Sequence, residues 1–315
     1  MNFKVLIPQD ITEPGKNYLT RHGCDIEILE EYSVESICNH VSDCDAILAR
    51  TASYPKEVFE HGKKLKVIAR HGVGYDNIDL EAANAHHVKV CYTPLSNSNS
   101  VAEHTIALIL ACAKNLVFMD QKTRNGEWNL RNEVPSGDIT GKTLGIIGYG
   151  RIGKLVARKA AFGFDMKIII YRTHKQGEEL PDYVTECNCI DDVFLKADYV
   201  SIHTSLNENT KSLVNSERLY HMKNTAFLIN TSRGAVVDEE ALVNTLKEKK
   251  IAGAGLDVFM NEPAPKENPL FLLDNVIVSP HNAALTKESM DRMGLDAAKG
   301  IVEVLYNRPV TWAVN

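Results

Sequence analysis

The sequence predicts an α/β protein built from two doubly wound parallel-sheet domains, and three observations carry that reading. Short apolar runs alternate with amphipathic, helix-like stretches along nearly the whole chain, the pattern of a parallel sheet with helices on its faces. A polar, turn-forming segment, Pro94-Leu95-Ser96-Asn97-Ser98-Asn99-Ser100, interrupts the alternation, which resumes at Thr143. The length of 315 residues is comfortable for two domains of ordinary size.

In the first block the strand runs are Val5–Ile7, Ile26–Leu29, Ala46–Ala49, Val67–Ala69 and Val88–Tyr92, with helical stretches such as Val34–Val41 and Leu80–His86 between them. The opening residues, Met1 to Pro8, read as a buried strand and lack the charge block and cleavage site of a signal peptide. After the break, Val101–Val117 predicts one long core or interface helix. With His104 and Lys114 inside, it is too short and too polar to span a bilayer. Gly126–Gly141 is irregular. The second block has strand runs at Leu144–Ile147, Ile168–Tyr171, Tyr199–Ile202, Ala226–Ile229, Gly253–Leu256 and Val276–Val278. Helices are expected at Ile152–Phe162, Asp191–Lys196, Ser216–Met222 and Glu239–Glu248. Lys287–Leu305 closes the chain, with Met290, Met293, Ala297, Ile301, Val304 and Leu305 spaced to bury one helix face.

Composition narrows the function classes. Hydrophobic residues at 44% and charged residues at 24% are ordinary for a globular chain. A net charge of −6, from 35 Lys plus Arg against 41 Asp plus Glu, gives no electrostatic reason to bind nucleic acid or an anionic membrane. The seven cysteines are scattered, and no Cys/His pairing has finger-like spacing. Reduced thiols in a cytoplasmic setting are therefore expected, with no structural metal.

The strongest local motif is Gly148-Tyr149-Gly150-Arg151-Ile152-Gly153, directly after one strand run and opening a helix. In this layout the first glycine makes the tight turn, the second admits a pyrophosphate close to the backbone, and the third lets helix and sheet pack closely. Unpaired N–H groups at the helix start then face the phosphates. The motif predicts dinucleotide binding; a glycine-rich turn without a ligand is the alternative. The next strand ends in Tyr171-Arg172-Thr173-His174-Lys175, with no acid to take a ribose 2′-OH. Arg172 offers a fork for a 2′-phosphate, Thr173 a hydroxyl and Lys175 a further charge, which favours NADP. NAD with a solvated basic turn is the other reading.

Three polar residues stand where strand runs end, which is where open parallel sheets place ligands. Arg233 follows Ala226–Ile229, Glu262 follows Gly253–Leu256, and His281 follows Val276–Val278. Each alone has a bland explanation as a loop charge or a strand-end histidine. Together they meet the needs of carbonyl reduction on a 2-keto acid. A histidine donates the proton, a carboxylate orients it and favours its charged form, and an arginine binds the substrate carboxylate and polarises the carbonyl.

The chain resembles the D-isomer-specific 2-hydroxyacid dehydrogenases over nearly its full length. The resemblance rests on His71-Gly72-Val73-Gly74-Tyr75-Asp76-Asn77-Ile78-Asp79, Ser100-Val101-Ala102-Glu103-His104, Gly148 to Gly153, Asn230-Thr231-Ser232-Arg233-Gly234, Gly255-Leu256-Asp257-Val258-Phe259 and Ser279-Pro280-His281. It implies a Rossmann cofactor domain, 99–284, inserted into a flavodoxin-like substrate domain, 1–98 plus 285–315, with hinges near Pro94 and Ala284. It implies a homodimer formed through the cofactor domain. By position, Arg151 and Ile152 would touch the pyrophosphate, and Thr204 and Thr210 would lie along the cofactor. Thr231 would lie beside Arg233, and Asp257 would bind the nicotinamide carboxamide. The loop His71, Gly72, Val73 and Gly74 would hold the substrate carboxylate through backbone N–H groups.

The chain departs from the family pattern at His203-Thr204-Ser205-Leu206, where Ser205 replaces a common proline. Glu262 stands where formate dehydrogenases of the superfamily carry Gln, which argues against formate. Asn97 and Arg50 match positions that 3-phosphoglycerate dehydrogenases use on their substrate, and Arg50 could equally be a solvated loop charge. The basic turn at Arg172 is more typical of hydroxypyruvate and glyoxylate reductases. The expectation is therefore a small 2-keto acid reductase, with an NAD-dependent phosphoglycerate dehydrogenase as the alternative. A dinucleotide-sensing corepressor without turnover is a more distant one.

Overall fold

The structure is a computed structural model that describes residues 2–173 and 179–315. Along the first part of the chain run β1 (Phe3–Ile7), α1 (Glu13–Arg21), β2 (Cys24–Ile28), α2 (Val34–His40), β3 (Ala46–Ala49), α3 (Lys56–His61), β4 (Val67–Arg70), α4 (Leu80–Ala85) and β5 (Lys89–Cys91). Then come α5 (Ser98–Ala113), α6 (Leu116–Arg124), β6 (Thr143–Ile147), α7 (Arg151–Phe164), β7 (Lys167–Tyr171), β8 (Val184–Glu186), α8 (Ile190–Lys196) and β9 (Tyr199–Ile202). The chain ends with α9 (Ser216–His221), β10 (Phe227–Asn230), α10 (Glu239–Lys247), β11 (Gly253–Leu256), β12 (Val276–Val278) and α11 (Lys287–Leu305). These elements form two compact units, Met1–Ser98 with Ala284–Asn315, and Asn99–Ala283.

The first unit holds a five-stranded parallel sheet of order β2-β1-β3-β4-β5, the flavodoxin-like winding. Alternate side chains of one strand enter different cores, as the period of two requires. Val5 and Ile7 pack with Ala297, Ala298, Ile301 and Leu305 of α11. Leu6 packs instead with Ile37, Val58 and Phe59 from α2 and α3. A Cβ on Gly15 of α1 would stand 2.7 Å from the Gly294 carbonyl oxygen, so α1 and α11 meet backbone to backbone.

The second unit holds a seven-stranded parallel sheet of order β12-β11-β10-β9-β6-β7-β8. This is the Rossmann order with one added strand, and its direction of winding reverses between β6 and β9. The strands β9 and β11 are buried along their whole length, which explains their unbroken apolar runs. Val156, Ala157 and Ala160 of α7 and Ile106 and Ile109 of α5 cover one face. Val193, Leu219 and Leu242 of α8, α9 and α10 belong to the core of the other.

Register turns this sheet into a platform. Ile147 pairs with Tyr171 and Ile202, Ile202 with Asn230, Asn230 with Leu256, and Leu256 with Val278. The next residues, Gly148, Arg172, His203, Thr231, Asp257 and Ser279, therefore leave the sheet in one row. The expected single helix over Val101–Val117 is instead α5 and α6, separated at Asn115, whose φ of +49° ends the first helix in the left-handed region. No single helix among the described residues is long and apolar enough to cross a membrane.

Candidate active site

The glycine loop leaves β6 at the point where the winding reverses. Gly148 has φ +93°, and a Cβ there would lie 2.6 Å from the His203 carbonyl oxygen. A Cβ on Gly153 would lie 2.3 Å from the Gly148 carbonyl oxygen. Both glycines are demanded by the protein's own packing. Gly150 differs, because a Cβ there would meet nothing within 4 Å. It is exposed at the start of α7, with Arg151 exposed and Ile152 half-buried behind it. An open cradle above helix N–H groups fits a dinucleotide pyrophosphate.

Arg172, at the end of β7, reaches across to β8. Its Nε lies 3.2 Å from Glu186 Oε1, and its side chain is only 11% exposed. The fork is thus anchored by a carboxylate, a partner that nothing in the local sequence announces. Thr173 is exposed beside it; Lys175 lies outside the described residues. Thr204 is half-buried just after β9. The Thr210 hydroxyl accepts from Asn207 N at 2.8 Å and donates to Ser205 O at 2.7 Å, closing its own turn. Thr231 is buried. Thr105 Oγ1 donates to Val101 O at 2.8 Å, so at their 3.0 Å contact Thr231 is the donor to Thr105.

The loops after β10, β11 and β12 carry Arg233, Glu262 and His281. Asn230, fully buried, shapes the first of them. Its Oδ1 accepts from Ser232 N at 3.0 Å and Ser232 Oγ at 2.9 Å, and its Nδ2 donates to Arg233 O at 2.9 Å. Glu239 holds the second, accepting from Met260 N at 3.0 Å and Asn268 Nδ2 at 2.9 Å. Glu262 Oε2 lies 2.6 Å from His281 Nδ1, while its Oε1 accepts from Phe259 N at 3.0 Å. Partial burial pushes the Glu262 carboxyl up, but His281, the Phe259 N–H and the positive charge of Arg233 outweigh it and hold the group below its ordinary value. An ionised carboxylate can only accept, so Nδ1 of His281 bears a proton and donates it to Glu262, which leaves Nε2 as the ring nitrogen not engaged by the carboxylate. Asp257 is fully buried and takes the hydroxyl of Ser279 and the N–H groups of Asn282 and Ala283.

In the first unit, the loop after β4 carries the other assigned residues. Gly72 has φ +146°, and its N–H goes to Thr93 Oγ1 at 2.9 Å and Arg70 O at 2.9 Å. An anion held by this loop would therefore rely on Val73 and Gly74. His71 is buried, and burial with the nearby charges of Arg50 and Arg70 pushes its pKa down to about 4. The folded value lies below the unfolded one, so His71 withholds stability as pH falls. At pH 5 the loss is about 2 kcal/mol against an unfolded value near 6.5. His71→Asn should accordingly flatten the fall in thermal midpoint between pH 7 and pH 5; an unchanged slope would show that His71 takes up its proton normally. Arg50 donates from Nη1 to Asp10 O at 2.6 Å. Asn97 is buried, and its Oδ1 has no hydrogen-bond partner among the described residues.

The family model for the NAD binding domain of D-isomer specific 2-hydroxyacid dehydrogenases matches residues 106–283. The chain belongs to this family. It is 37% identical to a glyoxylate reductase of Korarchaeum cryptofilum, over 96% of this chain and 92% of that protein. It is 38% identical to a D-3-phosphoglycerate dehydrogenase of Methanocaldococcus jannaschii, over 99% of this chain and 59% of that protein. The crystal structure of an NADPH-dependent glyoxylate/hydroxypyruvate reductase of Sinorhizobium meliloti, in complex with NADP and malonate, superposes with a TM-score of 0.88 at 27% identity. That alignment covers all of this chain and 97% of the other. Within this 2-hydroxyacid dehydrogenase, sequence reasoning missed Asn230, Glu239 and Glu186. Asn230 stands in the Asn230-Thr231-Ser232-Arg233-Gly234 motif without a role of its own assigned there, while Glu239 and Glu186 carry no motif signal, because each acts through a partner brought to it by the fold.

Proposed function

We propose that the chain reduces small 2-keto acids, hydroxypyruvate or glyoxylate, with NADPH preferred to NADH. The single observation that carries this reading is the His281–Glu262 pair at 2.6 Å on the same sheet edge as the glycine cradle. The residues fit a nicotinamide dinucleotide: the loop from Gly148 to Gly153 holds the pyrophosphate, with Arg151 and Ile152 at its edge, and Arg172 and Thr173 take the adenosine end. When bound, the dinucleotide supplies the hydride. His281 gives its Nε2 proton to the carbonyl oxygen, and Glu262 steadies the ring through Nδ1. Arg233 polarises the carbonyl and pairs with the substrate carboxylate.

NADPH preference is supported by Arg172, whose geometry Glu186 fixes. Arg172→Gln should weaken NADPH binding by about 10- to 100-fold, the worth of a charge-assisted hydrogen bond to phosphate, and change NADH binding only a few-fold. Equal effects on the two cofactors would remove Arg172 as the 2′-phosphate reader. The second reading, an NAD-dependent phosphoglycerate dehydrogenase, is favoured by Arg50 as a cation at the end of β3. Initial rates with each cofactor against glyoxylate, hydroxypyruvate and phosphohydroxypyruvate decide between them. Faster turnover of the unphosphorylated acids with NADPH is expected; phosphohydroxypyruvate with NADH would reverse the assignment. A homodimer through the cofactor domain is part of the same reading. Leu116, Val117 and Trp128, exposed at 59%, 41% and 62%, support it. Light scattering should give twice the chain mass, and a monomer at assay concentration would exclude it.

A further inference from the structure

We propose that His104, on α5, is a positioning residue that aims His281 through Ser279 and Asp257. The proposal rests on His281 being the proton donor. His281 has φ +49°, a left-handed conformation that a non-glycine residue keeps only when its surroundings enforce it. Asp257 enforces it from both sides. Its backbone oxygen accepts from His281 N at 2.8 Å. Its Oδ1 accepts from Ser279 Oγ at 2.6 Å and Asn282 N at 3.0 Å, and its Oδ2 accepts from Ala283 N at 2.9 Å. One buried carboxylate thus clamps the residues flanking the imidazole.

His104 completes the clamp. Its Nε2 lies 2.9 Å from Ser279 Oγ and 3.6 Å from Asp257 Oδ1. A serine hydroxyl has one proton, and here it goes to the carboxylate. At the other contact Ser279 must therefore accept, so His104 carries its proton on Nε2. The chain of donors runs from His104 to Ser279 to Asp257. It ties a helix that begins before the glycine loop to the segment that shapes the His281 backbone. Without it Ser279 loses its donor, and the clamp on 279–283 loosens. Misplacing a reacting group by a fraction of an ångström to an ångström is costly to turnover and leaves binding elsewhere largely intact.

The test compares His104→Leu and His104→Gln in the full chain, because a glutamine amide can supply the donor of Nε2. With NADPH and hydroxypyruvate, His104→Leu should lower kcat about 10- to 100-fold. The dinucleotide Kd, read by nicotinamide fluorescence, should stay within about threefold, and His104→Gln should recover most of the loss. Without any ligand, the amides of Asn282 and Ala283 should exchange with deuterium faster in His104→Leu, and nitrogen NMR should find the Nε2–H tautomer of His104 in the wild-type chain. Unchanged exchange, the opposite tautomer, or a Gln variant no better than Leu would overturn the proposal. A double variant of His104→Leu and His281→Ala should be no slower than His281→Ala alone; an additive loss would show that His104 acts elsewhere. If His281→Ala itself leaves turnover intact, the active-site reading has failed, whereas the exchange and tautomer results still judge the clamp.

Discussion

His281→Ala is expected to lower kcat by about two to four powers of ten, the usual range for removing a general acid, while the dinucleotide Kd stays near its wild-type value. The separation comes from position. The glycine cradle sits on the loop after β6, and His281 sits after β12 at the far edge of the same row. The imidazole makes its 2.6 Å contact with Glu262 and shapes no part of the cradle. Alanine keeps the backbone bonds from residue 281 to Asp257 O and Ser279 O, so folding should be little disturbed. Glu262→Gln should cost less, because the amide oxygen still accepts from Nδ1 but no longer favours the charged ring. Unchanged turnover in His281→Ala would take the proton-donor role away from this residue, and a collapse of cofactor binding would mean that the side chain supports the cradle after all.

The fold was legible because both sheets are parallel and covered on both faces. Strands such as Ala46–Ala49 and Tyr199–Ile202 are wholly buried, so they read as apolar runs that no solvent face interrupts. The grouping of the candidate site residues was legible for a related reason. Arg233, Glu262 and His281 each come after a strand, and parallel strands in register deliver their C-terminal loops to one edge. The support beneath them could not be read. Glu186 touches Arg172 only because β8 adds beside β7, and the short strand Val184–Glu186 lacks an apolar run to announce it. His104 and Ser279 are 175 residues apart, and nothing in either local sequence points to the other. The break at Asn115 was hidden because the apolar residues on both sides continue one pattern, and only the left-handed backbone of that residue separates α5 from α6.

Gly234→Ala should be the most damaging single methyl in the second unit, and the reason is space rather than backbone freedom. A Cβ at residue 234 would fall 1.9 Å from both the carbonyl carbon and oxygen of Phe259 and 2.5 Å from Met260 N. All three are backbone atoms, so no side chain can swing aside, and the two loops must part. The Phe259 N–H is also the donor to Glu262 Oε1 at 3.0 Å. Displacing it moves Glu262, which holds His281, while Arg233 is displaced from the other side as the preceding residue. One methyl thus disturbs all three members of the site. A destabilisation of about 1–3 kcal/mol is expected from overpacking, with a kcat loss of about 100-fold or more from misalignment. Gly150→Ala is the informative contrast, since its Cβ would enter open space. It should leave the thermal midpoint unchanged yet weaken dinucleotide binding, because the methyl occupies the approach of the pyrophosphate. The same substitution at two glycines should therefore separate the packing of the loops from the binding of the cofactor. A Gly234→Ala variant with wild-type midpoint and turnover would mean that the loops after β10 and β11 do not pack as closely as the structure has them.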